Sequence, residues 1–243
     1  MEAGVIGALW RYPVKSMQGE SLEQTWITPD GVPGDRGVAV IDAASGHVLS
    51  GKRLEMLLTA RAVARPGGPV IVLPDGRSAH LDAAAALVSE WLGRDVILAR
   101  AEGSDARPVV EAEDGTFLGR SGSFFDSSPV HLVTAASLRH LAGLHPEGEY
   151  DARRFRPNVV VESLAEGLVE QDWIGRTLRL GEAVLQITKP CTRCVMTTSE
   201  QRELATDRGI LRTIARETEN ACGIYARVLE PGVARVGDAV VVT

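Results

Sequence analysis

The sequence predicts a strand-dominated α+β fold with a barrel-like C-terminal half. Short apolar runs rich in valine and alanine are repeatedly interrupted by glycine and proline, which is typical of a chain built from many short strands. A few alanine- and leucine-rich segments with helical composition separate these runs. The 243 residues are 44% hydrophobic and 24% charged, so the chain can bury a large core without disulfides or structural metals.

The first part of the chain reads as paired strands followed by one helix. We expect strand pairs over 3–11 with 20–28, over 37–42 with 47–50, and over 69–73 with 78–81. Asp75-Gly76, within the last pair, is a common hairpin dipeptide. The segment 82–92 predicts a helix, with Asp82 as its N-cap and Gly93 as its end.

The second part contains more strands and two further helices. Thr134 is expected to cap a helix that ends near Gly143, and a second helix is expected over 208–217. We place a soft domain boundary between about residues 100 and 125, where strand and loop patterns alternate. The remaining strands are expected over 130–134, 158–163, 173–180 and 183–189, and on both sides of Pro231-Gly232.

Charge and composition argue against several classes of protein. The net charge is −6, which gives no overall electrostatic support for binding nucleic acid. Three cysteines are too few for a disulfide framework and favour a reducing compartment. No run approaches the ~20 apolar residues of a membrane helix, and the N-terminal apolar run is too short for a signal peptide. We therefore expect a cytoplasmic protein without a membrane partner.

The Cys191-x-x-Cys194 motif allows three interpretations from its residues alone. It is compatible with a redox pair, with inert structural cysteines, or with one thiolate metal ligand. A second pair for a zinc site is missing, because Cys222 stands alone. Arg193 lies within the motif, and a nearby cation favours a thiolate. The motif is expected to follow a strand that ends at Pro190 and to precede the segment 195–198, whose composition is β-prone.

Several polar segments could bind an anion. Lys15 beside Ser16 offers an ammonium and a hydroxyl for a phosphate, although a solvated loop lysine is the simpler interpretation. Arg36 and the pair at 52–53 are equally compatible with surface ion pairs. Three arginines within 153–156 suggest a bound anion in this acidic chain, or a solvated basic turn. The five histidines show no metal-ligand spacing, so none is assigned to catalysis.

Taken together, these segments resemble the MOSC superfamily. The similarity is carried, in order, by YPVKSMQGESL, GDRGVAVID, the segment 126–138 that ends in VHLVTAASL, RRFRPNVVVE, KPCTRC-x-x-TT and GIYARVLEPG-x-x-RVGDAV. This order and spacing are similar to the branch that contains the amidoxime-reducing components. The resemblance runs from about residue 5 to the C-terminus.

The resemblance implies a two-part chain that binds the molybdenum cofactor. Residues 1–120 would form an N-terminal β-rich, barrel-like MOSC subdomain, and residues 121–243 the MOSC β-barrel domain with the cofactor site. Cys194 would be the molybdenum ligand, which suits a soft, electron-rich sulfur donor. The other residues that the resemblance assigns to the cofactor are Lys15, Ser16, Arg36, Asp126, Ser127, Arg156, Asn158, Thr192 and Arg193.

The resemblance also implies an activity, the reduction of N-hydroxylated or N-oxide compounds. Because the chain has no C-x4-C-x2-C run for an iron–sulfur cluster, the electrons would come from a separate protein of the ferredoxin or flavin reductase type. Relatives that carry an N-terminal membrane anchor differ from this chain, which we therefore expect to be soluble. Two alternatives stay open, a non-catalytic carrier of cofactor or sulfur and a metal-free member of the superfamily.

Overall fold

The computed structural model describes residues 1–101, 110–111, 117–118, 123–125 and 127–243. Strands dominate these residues, which confirms the strand-rich α+β fold. The strands are β1 (Glu2–Arg11), β2 (Glu20–Leu22), β3 (Gln24–Ile27), β4 (Val38–Asp42), β5 (Arg61–Val63), β6 (Val70–Val72), β7 (Ser78–His80), β8 (Val96–Arg100), β9 (Val110–Glu111), β10 (Phe117–Leu118), β11 (Val130–Thr134), β12 (Val159–Glu162), β13 (Thr177–Leu180), β14 (Ala183–Thr192), β15 (Ala221–Glu230), β16 (Gly232–Arg235) and β17 (Ala239–Val242). The α-helices are α1 (Leu81–Leu92), α2 (Ala135–Leu144), α3 (Ala152–Phe155) and α4 (Arg208–Glu217), and 3₁₀ helices cover Glu55–Thr59, Val169–Trp173 and Val195–Thr197.

Seven strands close into a barrel, as expected for the C-terminal half. Their order is β12, β11, β15, β14, β13, β17 and β1, and β1 closes the ring by pairing with β12. These neighbours are antiparallel, apart from β11 and β12. Alternate apolar side chains, such as those of Leu178 and Leu180 on β13, are buried in the barrel's hydrophobic core.

The first strand of the chain belongs to the same barrel as the last. β1 lies between β12 and β17, and β3 pairs with β16. By contrast, β4 to β8 and α1 are built around a hydrophobic core of their own, which includes Val40, Ile71 and Val88. The boundary between residues 120 and 121 stays a prediction, because 119–122 lie outside the described residues.

The three predicted helices are confirmed, although one predicted cap is wrong and the short α3 was not expected. α4 covers the predicted residues, and Thr134 caps α2 by accepting a hydrogen bond from the Ser137 N–H at 3.1 Å. Gly93 ends α1 in the left-handed conformation, with a φ of 65°. The prediction of Asp82 as the N-cap is wrong, since His80 holds that position without a side-chain cap. Within the described ranges, no helix has the length and apolar character that a membrane crossing requires.

Two segments leave the barrel and carry the residues discussed below. The first follows β1 and contains Lys15 and Ser16. The second follows β14, which continues past Pro190 and ends at Thr192. The segment 195–198 does not form a strand despite its β-prone composition: the chain turns into a 3₁₀ helix there, with the Thr197 N–H donating to the Cys194 carbonyl oxygen at 3.1 Å.

Candidate cofactor site

A crevice of about 290 Å³ brings together segments that are far apart in the sequence. Side chains come from the loop after β1, the turn before β4, the segment before β11, the end of α3 and the end of β14. No aspartate or glutamate occurs among its described lining residues. The described lining residues with a positive charge are Lys15, Arg36, Lys52, Arg154, Arg156 and Arg193. In a protein with a net charge of −6, such a crevice favours an anionic ligand.

The three cysteines differ in their access to this crevice. Cys194 lines it and is partly exposed, at the junction between β14 and the following 3₁₀ helix. Cys191 is 1% exposed and Cys222 is fully buried. Burial raises the pKa of the Cys222 thiol well above its ordinary value, so this side chain behaves as a small apolar residue. Only Cys194, among the three, presents its side chain to a ligand in the crevice.

Lys15 and Ser16 are fixed by backbone groups of neighbouring segments. The Lys15 ammonium group donates to the carbonyl oxygen of Phe124 at 3.0 Å, and the side chain is almost fully buried. The Ser16 hydroxyl oxygen accepts a hydrogen bond from the Gly51 N–H at 2.9 Å. These contacts hold a cation and a hydroxyl side by side at the edge of the crevice.

Arg36 and Arg156 are stacked on Tyr12. The guanidinium carbons of Arg156 and Arg36 lie 4.3 and 5.1 Å from the centre of the Tyr12 ring. Asp35 pairs with Arg36 and accepts the Tyr12 backbone N–H at 2.7 Å. Arg156 donates to the Met17 carbonyl oxygen at 2.7 Å. Both guanidinium groups are therefore oriented before a ligand arrives.

Three described crevice residues other than glycine have left-handed backbone conformations. The φ values are 66° for Ser16, 50° for Arg36 and 55° for Arg156. This conformation costs free energy for a residue with a Cβ atom, and such residues concentrate at functional sites. Here it turns three polar side chains toward one crevice, which supports its assignment as the functional site.

Arg193 is turned toward the protein interior. Its guanidinium donates to the carbonyl oxygens of Phe155 and Cys222, at 3.0 and 2.7 Å, and contacts His131 Nε2 at 2.5 Å. Gly223 lies against this contact with a φ of 79°, and a Cβ atom there would come within 2.8 Å of the His131 ring. Arg193 thus supports one wall of the crevice through these contacts, and its role as a cofactor contact stays a prediction.

His131 is a buried histidine whose tautomer is set by its neighbours. Arg193 can only donate, so His131 Nε2 accepts from it and the ring proton lies on Nδ1. Nδ1 then donates to the Arg156 carbonyl oxygen at 3.3 Å. Burial, with a further contribution from the Arg193 charge, holds the pKa of His131 well below its ordinary value. The ring is therefore neutral at pH 7 and positions the Arg156 backbone.

The depressed pKa of His131 predicts a loss of stability in mild acid. Below the unfolded-state pKa of about 6.5, His131 is protonated in the unfolded chain but stays neutral in the folded chain. Stability should then fall by up to about 1.4 kcal/mol per pH unit, until the folded pKa is reached. We expect urea denaturation between pH 7.5 and 5 to show a shallower pH slope for His131→Gln than for the wild type. Parallel slopes would show that His131 is protonated normally in the folded protein.

The crevice gathers most of the residues that the sequence suggested. Asp126 lies outside the described residues, and its role stays a prediction. The side-chain amide of Asn158 is hydrogen-bonded to the protein backbone. Its oxygen accepts from the His131 N–H at 3.1 Å, and its nitrogen donates to the Trp10 carbonyl oxygen. The predicted residues that line the crevice are Lys15, Ser16, Arg36, Ser127, Arg156, Asn158, Thr192, Arg193 and Cys194.

Other lining residues cannot be recognised from the sequence alone. A lone histidine without ligand spacing, such as His131, gives no signal. Tyr225 lies in a strand, and its ring packs 5.5 Å from that of His131. Lys52 was noted as a cation but not placed in the site. Its position beside Arg53, directly after Gly51, is the signal that could have selected it.

A buried amide pair joins the two sides of the crevice. Gln18 Nε2 donates to Gln201 Oε1 at 2.7 Å, and Gln201 Nε2 donates to the Met196 carbonyl oxygen at 2.9 Å. Both glutamines are nearly fully buried, so this bond is protected from water. It connects the loop that contains Lys15 to the turn that begins at Cys194.

The fold and the crevice define a strand-rich barrel protein with a cationic ligand site beside an accessible cysteine. The family profile described as "MOSC domain" matches residues 119–241, and that described as "MOSC N-terminal beta barrel domain" matches residues 3–107. The chain therefore belongs to the MOSC superfamily, in the branch that resembles the amidoxime-reducing components.

Individual relatives agree with this assignment. Mitochondrial amidoxime reducing component 2 of Bos taurus is 26% identical, with 98% of this chain and 83% of the relative covered. Molybdenum cofactor sulfurase 2 of Culex quinquefasciatus is 33% identical over 105 residues, which cover 39% of this chain and 13% of that protein. The crystal structure of the YuaD protein of Bacillus subtilis has the same fold, with a TM-score of 0.53, 14% identity, and coverage of 100% of this chain and 96% of that one.

Proposed function

We propose that this protein is a molybdenum-cofactor-dependent oxidoreductase that reduces N-hydroxylated and N-oxide compounds. The observation that carries the proposal is the position of Cys194, the accessible cysteine of the three, in a crevice rich in cations. A relative that matches nearly the whole chain is named as an amidoxime reducing component, which supports the same activity.

The crevice residues fit the chemical requirements of this cofactor. Its terminal phosphate needs cationic and hydrogen-bonding partners, and Lys15, Ser16, Arg36 and Arg156 offer them at the crevice. Its metal is already held by sulfur, so the soft thiolate of Cys194 is a suitable further ligand. Ser127 and Thr192 add hydroxyl groups to the lining.

The reaction consumes two electrons and two protons for each substrate. The N–O bond breaks, an N–H bond forms, and the oxygen leaves as water. When bound, the cofactor would supply the redox chemistry. The protein would orient the cofactor through its cationic lining and fix Cys194 at the turn after β14. His131 is neutral and both of its ring nitrogens are engaged, so it positions Arg156 and carries no proton to the substrate.

Metal analysis and turnover test this function directly. Protein from a host that makes the cofactor should contain close to one molybdenum per chain. With an artificial one-electron donor it should reduce benzamidoxime over many turnovers. Less than about a tenth of an equivalent of molybdenum, together with no released pterin, would refute the proposal.

A cofactor or sulfur carrier is the second candidate. The similarity to a molybdenum cofactor sulfurase over 105 residues favours this candidate. Those residues are 13% of that larger protein. A carrier would bind the cofactor in the same crevice and transfer its cargo without reducing a substrate. Tight cofactor binding without turnover of benzamidoxime would therefore select the carrier.

A further inference from the structure

A second groove lies beside the turn that begins at Cys194. Its volume is about 420 Å³, and it is formed by that turn and the outer face of α4. Val195 and Thr198 contribute from the turn, and Arg208, Leu211 and Arg212 from α4. Cys194, Met196 and Thr197 of the same turn face the cofactor crevice instead. One turn of chain therefore separates the groove from the crevice.

The groove carries an excess of positive charge. Arg208 and Arg212 are exposed, and their spacing of four residues places them on the same face of α4. Among the described residues, neither has a carboxylate within 4 Å, whereas Arg216, one turn further on, pairs with Glu217. Glu55 is the acidic residue in the described lining.

The groove also lies next to Cys194 along the chain. Val195 follows Cys194 directly and is 39% exposed. A protein that covered Val195 would lie against the turn on which Cys194 sits. An electron donor needs such a position, because electron transfer becomes slower with distance.

We propose that this groove is the docking surface for a small acidic redox protein that supplies electrons to the cofactor. The inference rests on the proposed function and identifies the partner by charge and by redox centre. Each encounter would oxidise one reduced iron–sulfur centre by one electron. Two encounters would supply the two electrons that one N–O bond consumes, while the two protons come from solvent.

The chemistry of the groove fits a transient partner. Electron-transfer complexes bury little surface and depend on charge complementarity, which raises the association rate. The exposed Val195 and the partly exposed Leu211 allow a small apolar contact, and the two arginines attract an acidic surface. Binding should therefore be strongest at low ionic strength and weaken as salt is added.

The test compares two double variants with the same change in charge. Arg208→Glu/Arg212→Glu alters the groove, and Arg179→Glu/Arg227→Glu alters exposed residues of β13 and β15 outside it. The probe is a plant-type ferredoxin, titrated against each purified protein at low and at physiological ionic strength. We expect the groove variant to bind about tenfold more weakly at low salt, and the control to change by less than about twofold.

Activity with two donors separates this proposal from the proposed function. With reduced methyl viologen, a small donor that needs no docking surface, the groove variant should match the wild type. With reduced ferredoxin, its kcat/KM should fall about tenfold. Failure of the wild type to turn over with methyl viologen would refute the proposed function alone, since the binding titration still decides docking.

Three results would overturn the docking proposal. These are equal binding of ferredoxin by both double variants, absence of salt-sensitive binding to the wild type, and self-association of the wild type that the groove variant loses. The last result, measured by sedimentation, would identify a second copy of the chain as the occupant.

Discussion

Cys194→Ser should lower turnover of benzamidoxime by at least about a hundredfold, since even changes around a metal ligand cost 10–100-fold. Serine keeps the size of the side chain but replaces a soft sulfur donor by a hard oxygen. The residues proposed to hold the phosphate lie on other segments, so the variant should retain part of its pterin. Activity, released pterin and molybdenum content are measured on the same preparation.

Cys191→Ser and Cys222→Ser serve as matched controls. Both residues are buried outside the crevice lining, so each substitution should cost about 1 kcal/mol of stability and leave most of the activity. An equal loss of activity in the Cys191 and Cys194 variants would contradict the single-ligand assignment. It would instead indicate that the two cysteines of the motif work as a dithiol pair.

Removing the Arg156 side chain should weaken cofactor binding by about 10- to 150-fold. The reason is that one charge-assisted hydrogen bond, worth about 1.5–3 kcal/mol, is lost. The structure adds a complication, because Arg156 also binds Met17, stacks on Tyr12 and has a left-handed backbone. A single alanine variant would mix a lost contact with a change in stability. Two variants separate these effects.

Arg156→Ala and Arg156→Gly remove the same charge but differ in backbone fit. Glycine adopts a φ of 55° without a steric cost, so Arg156→Gly should be the more stable of the two by up to about 1 kcal/mol. Both variants should lose cofactor to the same extent if the guanidinium binds it. Cofactor loss that follows stability instead, with Arg156→Gly near the wild type, would show that Arg156 is structural.

Much of the fold could be predicted because its signals are local. Alternating apolar residues indicated β13, alanine and leucine with a terminal glycine indicated α1, and Thr134 indicated the start of α2. The cap of α1 was misassigned because the carboxylate of Asp82 is drawn to Arg100, which comes from a strand later in the sequence. Local patterns do not report such tertiary partners.

The site was predictable only as a set of motifs in order. Lys15 and Cys194 are 179 positions apart, and no local signal places them in one crevice. The inward turn of Arg193 depends on backbone carbonyls, which are the same for every residue type and leave no trace in the sequence. His131 matters through Arg193 and Arg156, so its role appears only once the three are packed together.

The position of β1 in the barrel links the site to the order in which the chain is made. β1 is synthesised well before its neighbours β12 and β17 emerge from the ribosome. Until these two strands emerge, β1 can pair with β2 along Leu9–Arg11, while the rest of its edges stays unpaired. Contacts of such long sequence separation form slowly. Because the crevice also needs the segment around Cys194, we expect the cofactor site to form late in folding.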